Sequence, residues 1–303
     1  MDIEGLQKRI KTTKDLRSIV STMKSLSAVS IIQYDSALKS LIEYGRAINL
    51  GAVALLKNGE LDIPKPPAVA PEKRRALAVI VGSDTGLVGK MNREVVRFAQ
   101  KKLSDDGFQI NQTAFVAVGR QIIGQLQRNR WNAVESYPIS NSVKAVSKTA
   151  ASVLVAADEQ MRANRATHVY VFYSMKRGVG VSPTSTVLMP LGTEWLERVK
   201  KTRWPGRNFP TYTLPAEKIY SALVKERLLI ELSTAITEAL VAEHHMRLTT
   251  MQAAEKNIDE NLEKMNLEYQ QMRQENITTE LLEVVSGAEA LRQQKKDRAP
   301  IDG

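Results

Sequence analysis

The sequence predicts an α/β fold: a long antiparallel coiled coil of the N- and C-terminal helices, plus an α/β domain with a mostly parallel sheet. Three observations predict it. From Ala216 to Ser286 there is no Gly and no Pro, a run of about 71 residues. As one helix it would be roughly 105 Å long, against about 11–12 residues for an average globular helix. Leu6 to Tyr44 is equally free of breakers. Between these runs, short apolar stretches alternate with helical periods, which is the signature of βα units.

The elements follow in order. In the first segment Leu16, Ile19, Met23 and Leu26 step by three and four, one seam of a coiled coil. The seam weakens beyond Ser30, where Gln33 takes the next expected position. The spacing predicts a helix end near Asn58-Gly59, with the glycine as cap. Ile63-Pro64-Lys65-Pro66-Pro67 is then a stiff extended linker. Arg75–Val81 is a continuous apolar run closed by Gly82, as in a buried parallel strand. A helix is predicted over 90–104, a strand over 113–118, a helix near 121–127 and a small-residue helix over 143–163. A third strand is predicted over 167–173. A fourth, over 185–191, runs antiparallel after the turn at Gly178-Val179-Gly180. The alternation makes the middle of the chain Rossmann-like. Trp195 to Thr213 reads as a polar, basic connection, and Pro215 opens the last helix where its missing N–H costs nothing. In that helix Met251, Ile258, Met265 and Met272 recur every seven residues, with Leu248, Leu262 and Tyr269 as the companion row. Two such seams at opposite ends of one chain can pair antiparallel. The predicted organisation is an N-terminal coiled-coil helix over 1–59, a linker over 60–72, the α/β domain over 73–213, a C-terminal coiled-coil helix over 214–291 and a basic tail over 292–303.

Composition narrows the function classes. The chain has 303 residues, is 43% hydrophobic and 25% charged, and lacks Cys, which excludes disulfides, thiol switches and cysteine-ligated metal. No secretory signal is visible in Met1 to Arg17, and no window of about 18 apolar residues exists to span a membrane. The net charge of +10 points to a nucleic acid or an acidic protein as partner. The excess is clustered. Lys8, Arg9, Lys11, Lys14, Arg17 and Lys24 face a single acid, Asp15, and a second cluster holds Arg198, Lys200, Lys201, Arg203 and Arg207. Aromatics at 5% are thin for a protein that stacks single-stranded bases.

Motifs for chemistry are few. Gly82-Ser-Asp-Thr-Gly-Leu-Val-Gly89-Lys90 sits between a strand and a helix, where a phosphate-binding loop belongs. Its glycines are too far apart for that loop, Met91 stands where a magnesium-holding Ser or Thr belongs, and the dinucleotide pattern is absent. A structural turn is the simpler reading. His244 and His245 point to different helix faces and make no metal site, while Glu243 and Arg247 are spaced to pair along the helix. The carboxylate pairs Asp105-Asp106 and Asp259-Glu260 read as solvated surface. No catalytic residue is assigned. The Lys8–Lys24 cluster is either an ordinary solvated face or an electrostatic track for acidic protein levers.

The two ends together carry a resemblance. The segment from Arg9 through Met23-Lys24 to Val29 resembles the N-terminal helix of the gamma subunit of F-type (rotary, proton-transporting) ATP synthases. Leu267 to Leu291, with Arg273, Gln274, Ile277, Thr278, Glu280 and Gly287, is similar to that family's C-terminal signature. Glu243 to Met251 resembles the preceding helical segment, and Ser83-Asp84-Thr-Gly86-Leu87-Val-Gly89-Lys-Met-Asn92 the motif after the first strand. Val88, Thr85, Lys90 and Val29-Ser30-Ile31 depart from the usual pattern, and Trp195–Thr213 matches none of it.

The resemblance implies a central rotor shaft that couples ion-driven rotation of a membrane c-ring to ATP synthesis or hydrolysis at alpha–beta interfaces. It implies three alpha and three beta subunits, an epsilon (or delta-type) stalk subunit and the c-ring as partners. ATP, ADP and Mg would then be bound by the alpha and beta subunits, with no cofactor and no active site on this chain. By position, Arg9, Ile10, Met23 and Lys24 would meet the lever of a beta subunit. Arg273, Gln274, Thr278 and Glu280 would meet a higher beta-subunit loop, and Val284 and Val285 would enter an apolar bearing. The location implied is peripheral, on the cytoplasmic, matrix or stromal face of an energy-transducing membrane, without insertion. The alternatives are a basic coiled-coil protein that binds nucleic acid or acts as an adaptor, and a nucleotide-using α/β enzyme.

Overall fold

The computed structural model describes residues 2–57, 69–70, 73–139, 142–163, 165–208 and 210–297. The Pro64–Pro67 linker, the cap at Gly59 and the tail beyond Asp297 lie outside the described residues. The elements are α1 Ile3–Lys57, β1 Ala76–Val81, α2 Met91–Asp105, β2 Thr113–Val118, α3 Arg120–Arg128, β3 Ala133–Tyr137, α4 Val143–Arg162, β4 His168–Arg177, β5 Gly180–Met189, α5 Thr193–Lys201 and α6 Ala216–Asp297. The chain divides into two compact units. One joins Met1–Lys24 with Met251–Gly303, and the other is Ser25–Thr250.

The larger unit is built on a five-stranded sheet in the order β3-β2-β1-β4-β5. β1 pairs in parallel with β2 and β4, β2 pairs in parallel with β3, and β5 pairs antiparallel with β4 through the turn at Gly178-Val179. Every residue of β1 is buried, as a continuous apolar run requires when helices cover both faces. On one face Leu77, Val79, Val116 and Val171 meet Val146, Ala150 and Val153 of α4 and Leu232, Ile236 and Leu240 of α6. On the other Ala78, Ile80, Phe115 and Ala117 meet Val95, Ala99 and Leu103 of α2 and Ile122 and Leu126 of α3. The period of two sends alternate strand residues to different helices. Within this unit α1 and α6 run antiparallel. Tyr34 stacks on His244, and Tyr44 hydrogen-bonds Glu226 at 3.2 Å. A Cβ at Gly51 would lie 3.1 Å from Leu223 Cδ2, so glycine allows this close crossing.

Three elements correct the sequence reading. β3 escaped it because Ala133-Val-Glu-Ser-Tyr137 is a half-buried edge strand without an apolar run. Trp195–Thr213 is not wholly a connection: its first part belongs to α5, whose Trp195 and Val199 are buried against Ala52 and Val53 of α1. Finally, α6 does not stop at residue 291 but continues to Asp297.

In the smaller unit the pairing is also antiparallel. Leu6 and Ile10 pack with Leu262, backed by Ile258, Met265, Tyr269 and Met272. The seven-residue row read in α6 is therefore its packed face. The seam read in α1 is not. Leu16 is 50% exposed and Ile19 56%. The face turned inward lies one residue over: it starts at Leu6 and Ile10 and continues through half-buried Thr13 and Val20. Arg17 and Lys24, on the same face, reach Asp259 and Glu255 of α6.

Candidate functional site

Two features organise the molecule's chemistry: a buried polar clamp in the larger unit, and a helix surface in the smaller unit that the chain itself leaves uncovered.

The clamp begins at the loop after β1. A Cβ at Gly82 would fall 2.6 Å from Asn92 Oδ1 and 2.8 Å from Ile122 Cδ1, so only glycine fits there. Ser83 N donates to Asn92 Oδ1 at 2.9 Å, Asn92 Nδ2 donates to Ser83 Oγ at 2.8 Å, and Ser83 Oγ donates to Thr85 O at 2.8 Å. Asp84 accepts from the backbone N–H groups of Arg120 and Ile139, at 3.1 and 3.2 Å, and pairs with the Arg120 guanidinium. The loop's polar side chains are thereby spent on the fold. Its far side is held by α6. Arg247 Nη2 donates to Thr85 Oγ1 at 2.6 Å, to Gly86 O at 3.3 Å and to Glu243 Oε1 at 2.5 Å.

Glu243 is 3% exposed and Arg247 5%. Burial raises the Glu243 carboxyl above the ordinary carboxylate range, and Arg247 opposes that shift. His244 is buried beside them, and burial, with Arg247 second, lowers its imidazole to about 4. It is neutral at pH 7 and stacks on Tyr34 with ring centroids 5.5 Å apart. Among the described residues no group of three His, Cys, Asp or Glu side chains could hold a metal ion. Met91, at the position a magnesium-binding hydroxyl would need, is a buried apolar residue beside Val88 and Ala242. The sequence had shown that Glu243 and Arg247 could pair. It gave no signal for the reach from Arg247 to Thr85, because contacts between residues 162 positions apart are not legible in local spacing.

The uncovered surface lies on α6 beyond Met272. Every residue from Arg273 to Arg292 is exposed. Val284 is 70% exposed, Val285 53%, Leu281 61% and Ile277 47%. Arg273, Gln274, Thr278 and Glu280 share this stretch, and Thr278 Oγ1 only bonds back to Gln274 O at 2.8 Å. Apolar residues bared over so many turns mark an interaction surface. On α1, Arg9 is exposed and Met23 half-buried. Ile10 is 7% exposed and packed on Leu262. Lys24 is half-buried, with its ammonium paired to Glu255. Its charge is matched within the chain.

A family profile described as ATP synthase matches residues 2–291. The chain belongs to that family. Its relatives include the ATP synthase gamma chain of Geotalea uraniireducens (strain Rf4), 26% identical over 297 residues, covering 96% of this chain and 99% of the relative. The ATP synthase gamma chain of Anaeromyxobacter dehalogenans (strain 2CP-1 / ATCC BAA-258) is 25% identical over 293 residues, with coverage of 96% and 99%. Among solved structures, a chain of the Euglena gracilis mitochondrial ATP synthase (OSCP/F1/c-ring, rotational state 3) superposes with a TM-score of 0.65. It is 16% identical, over 99% of this chain and 98% of that one. A chain from the central stalk and c-ring of the Tetrahymena thermophila mitochondrial ATP synthase gives 0.53 at 16% identity, over 78% and 99%. These structural likenesses show the fold of the family member. No described helix is long and apolar enough to cross a membrane.

Proposed function

We infer that this chain is the central rotor shaft of an F-type ATP synthase, coupling rotation of a membrane c-ring to ATP synthesis or hydrolysis at alpha–beta interfaces. The observation that carries the reading is the run Arg273–Arg292, wholly exposed on one helix of an ATP synthase family member. A helix that keeps Ile277, Leu281, Val284 and Val285 in water needs other subunits to cover them. Relatives along the full chain are gamma chains, and the similar solved chains come from assemblies that include F1 and a c-ring.

The partners are three alpha and three beta subunits, an epsilon or delta-type stalk subunit and the c-ring, and the location is peripheral on the membrane. ATP, ADP and Mg belong to the alpha and beta subunits. This chain supplies no active site, a reading supported by the loop after β1, whose Ser83, Asp84 and Thr85 are engaged in the fold. Val284 and Val285 turn in an apolar collar, where few directional hydrogen bonds must break at each step. Arg273, Gln274, Thr278 and Glu280 engage a beta-subunit loop, and Arg9, Ile10, Met23 and Lys24 meet a beta-subunit lever. An asymmetric shaft acts by touching the three catalytic sites differently, so each orientation favours a different conformation at each site.

Reconstitution tests this. The chain is mixed with cognate alpha and beta subunits, and assembly and ATP hydrolysis are compared for wild type and Arg273→Ala/Gln274→Ala. The reading requires a complex of one copy with three alpha and three beta subunits. It also requires turnover that depends on this chain and falls in the variant. A failure to assemble, with tight and salt-steep binding to nucleic acid instead, overturns it.

A further inference from the structure

We draw no further inference here: the strongest candidate, the apolar groove between α4 and α6 floored by Val169 of β4 and Leu188 and Met189 of β5, carries nothing because nothing in the structure shows what covers it.

Discussion

Arg247 reaches Thr85 at 2.6 Å while holding Glu243 at 2.5 Å, so one guanidinium fastens α6 to the loop that follows β1. Both charged groups are nearly inaccessible to water. Replacing one partner leaves the other buried and uncompensated, which costs more than the pair contributes.

Arg247→Ala is therefore expected to lower the unfolding free energy by about 3–5 kcal/mol. Thr85→Val, which removes only a hydroxyl acceptor, is expected to cost about 1 kcal/mol. Urea titrations at pH 7 would measure both. The pH dependence has a definite sign. Glu243 is already raised in the folded state by burial, and losing Arg247 raises it further. A raised acid takes up its proton more readily folded than unfolded, so the deficit of Arg247→Ala shrinks as pH falls through that raised pKa. A deficit that grows on acidification would contradict the clamp.

His244 gives a second, opposite slope. Its folded pKa of about 4 lies below the ordinary 6.5, chiefly through burial. Below about pH 6.5 the unfolded chain binds a proton that the folded chain refuses. Stability is fully present above pH 6.5 and falls as pH drops toward 4, by on the order of 2 kcal/mol. His168, lowered by burial and by Arg74, adds to the same slope. His244→Phe keeps an aromatic ring against Tyr34 and removes the titration. Urea midpoints between pH 7 and 4.5 should decline less for this variant than for wild type.

Much of the fold was legible because its signals are local. β1 is one apolar run closed by a glycine, and β2 occupies the residues its apolar stretch predicts, Thr113–Val118. The row Ile258, Met265, Met272 found its partner helix because one apolar face dominates that stretch of α6. The α1 seam misled for a physical reason. Two stripes lie side by side on that helix. The more apolar, through Leu16 and Ile19, stays in water, while the more polar, through Arg17 and Lys24, turns inward to Asp259 and Glu255. Hydrophobic periodicity locates a face that needs covering but cannot say which chain covers it. The same limit hid the inward face of α5, where two buried residues among many basic ones look like a loop.

The two stripes of α1 separate by experiment. Ile10→Ala empties a site against Leu262 and is expected to cost about 2–4 kcal/mol. Leu16→Ser/Ile19→Ser changes residues at least half exposed and is expected to stay within about 0.5 kcal/mol per site of wild type. If the outer stripe serves partner subunits, this second variant keeps its thermal midpoint and loses affinity in reconstitution. A large stability loss in Leu16→Ser/Ile19→Ser would mean that the stripe is covered by the chain itself.

The end of α6 allows the sharpest separation of stability from function. Val284 and Val285 are 70% and 53% exposed, so Val284→Asp/Val285→Asp removes little burial from the free chain. Its unfolding should match wild type within about 0.5 kcal/mol per site. In an assembled complex the same two carboxylates would enter an apolar collar, and an unpaired buried carboxylate is strongly disfavoured. ATP hydrolysis by the reconstituted complex is therefore expected to fall at least about tenfold, equivalent to about 1.4 kcal/mol. Assembly should weaken in proportion at low subunit concentration. Retained turnover at wild-type level would place the end of α6 in water throughout the cycle, leaving its exposed valines without a partner.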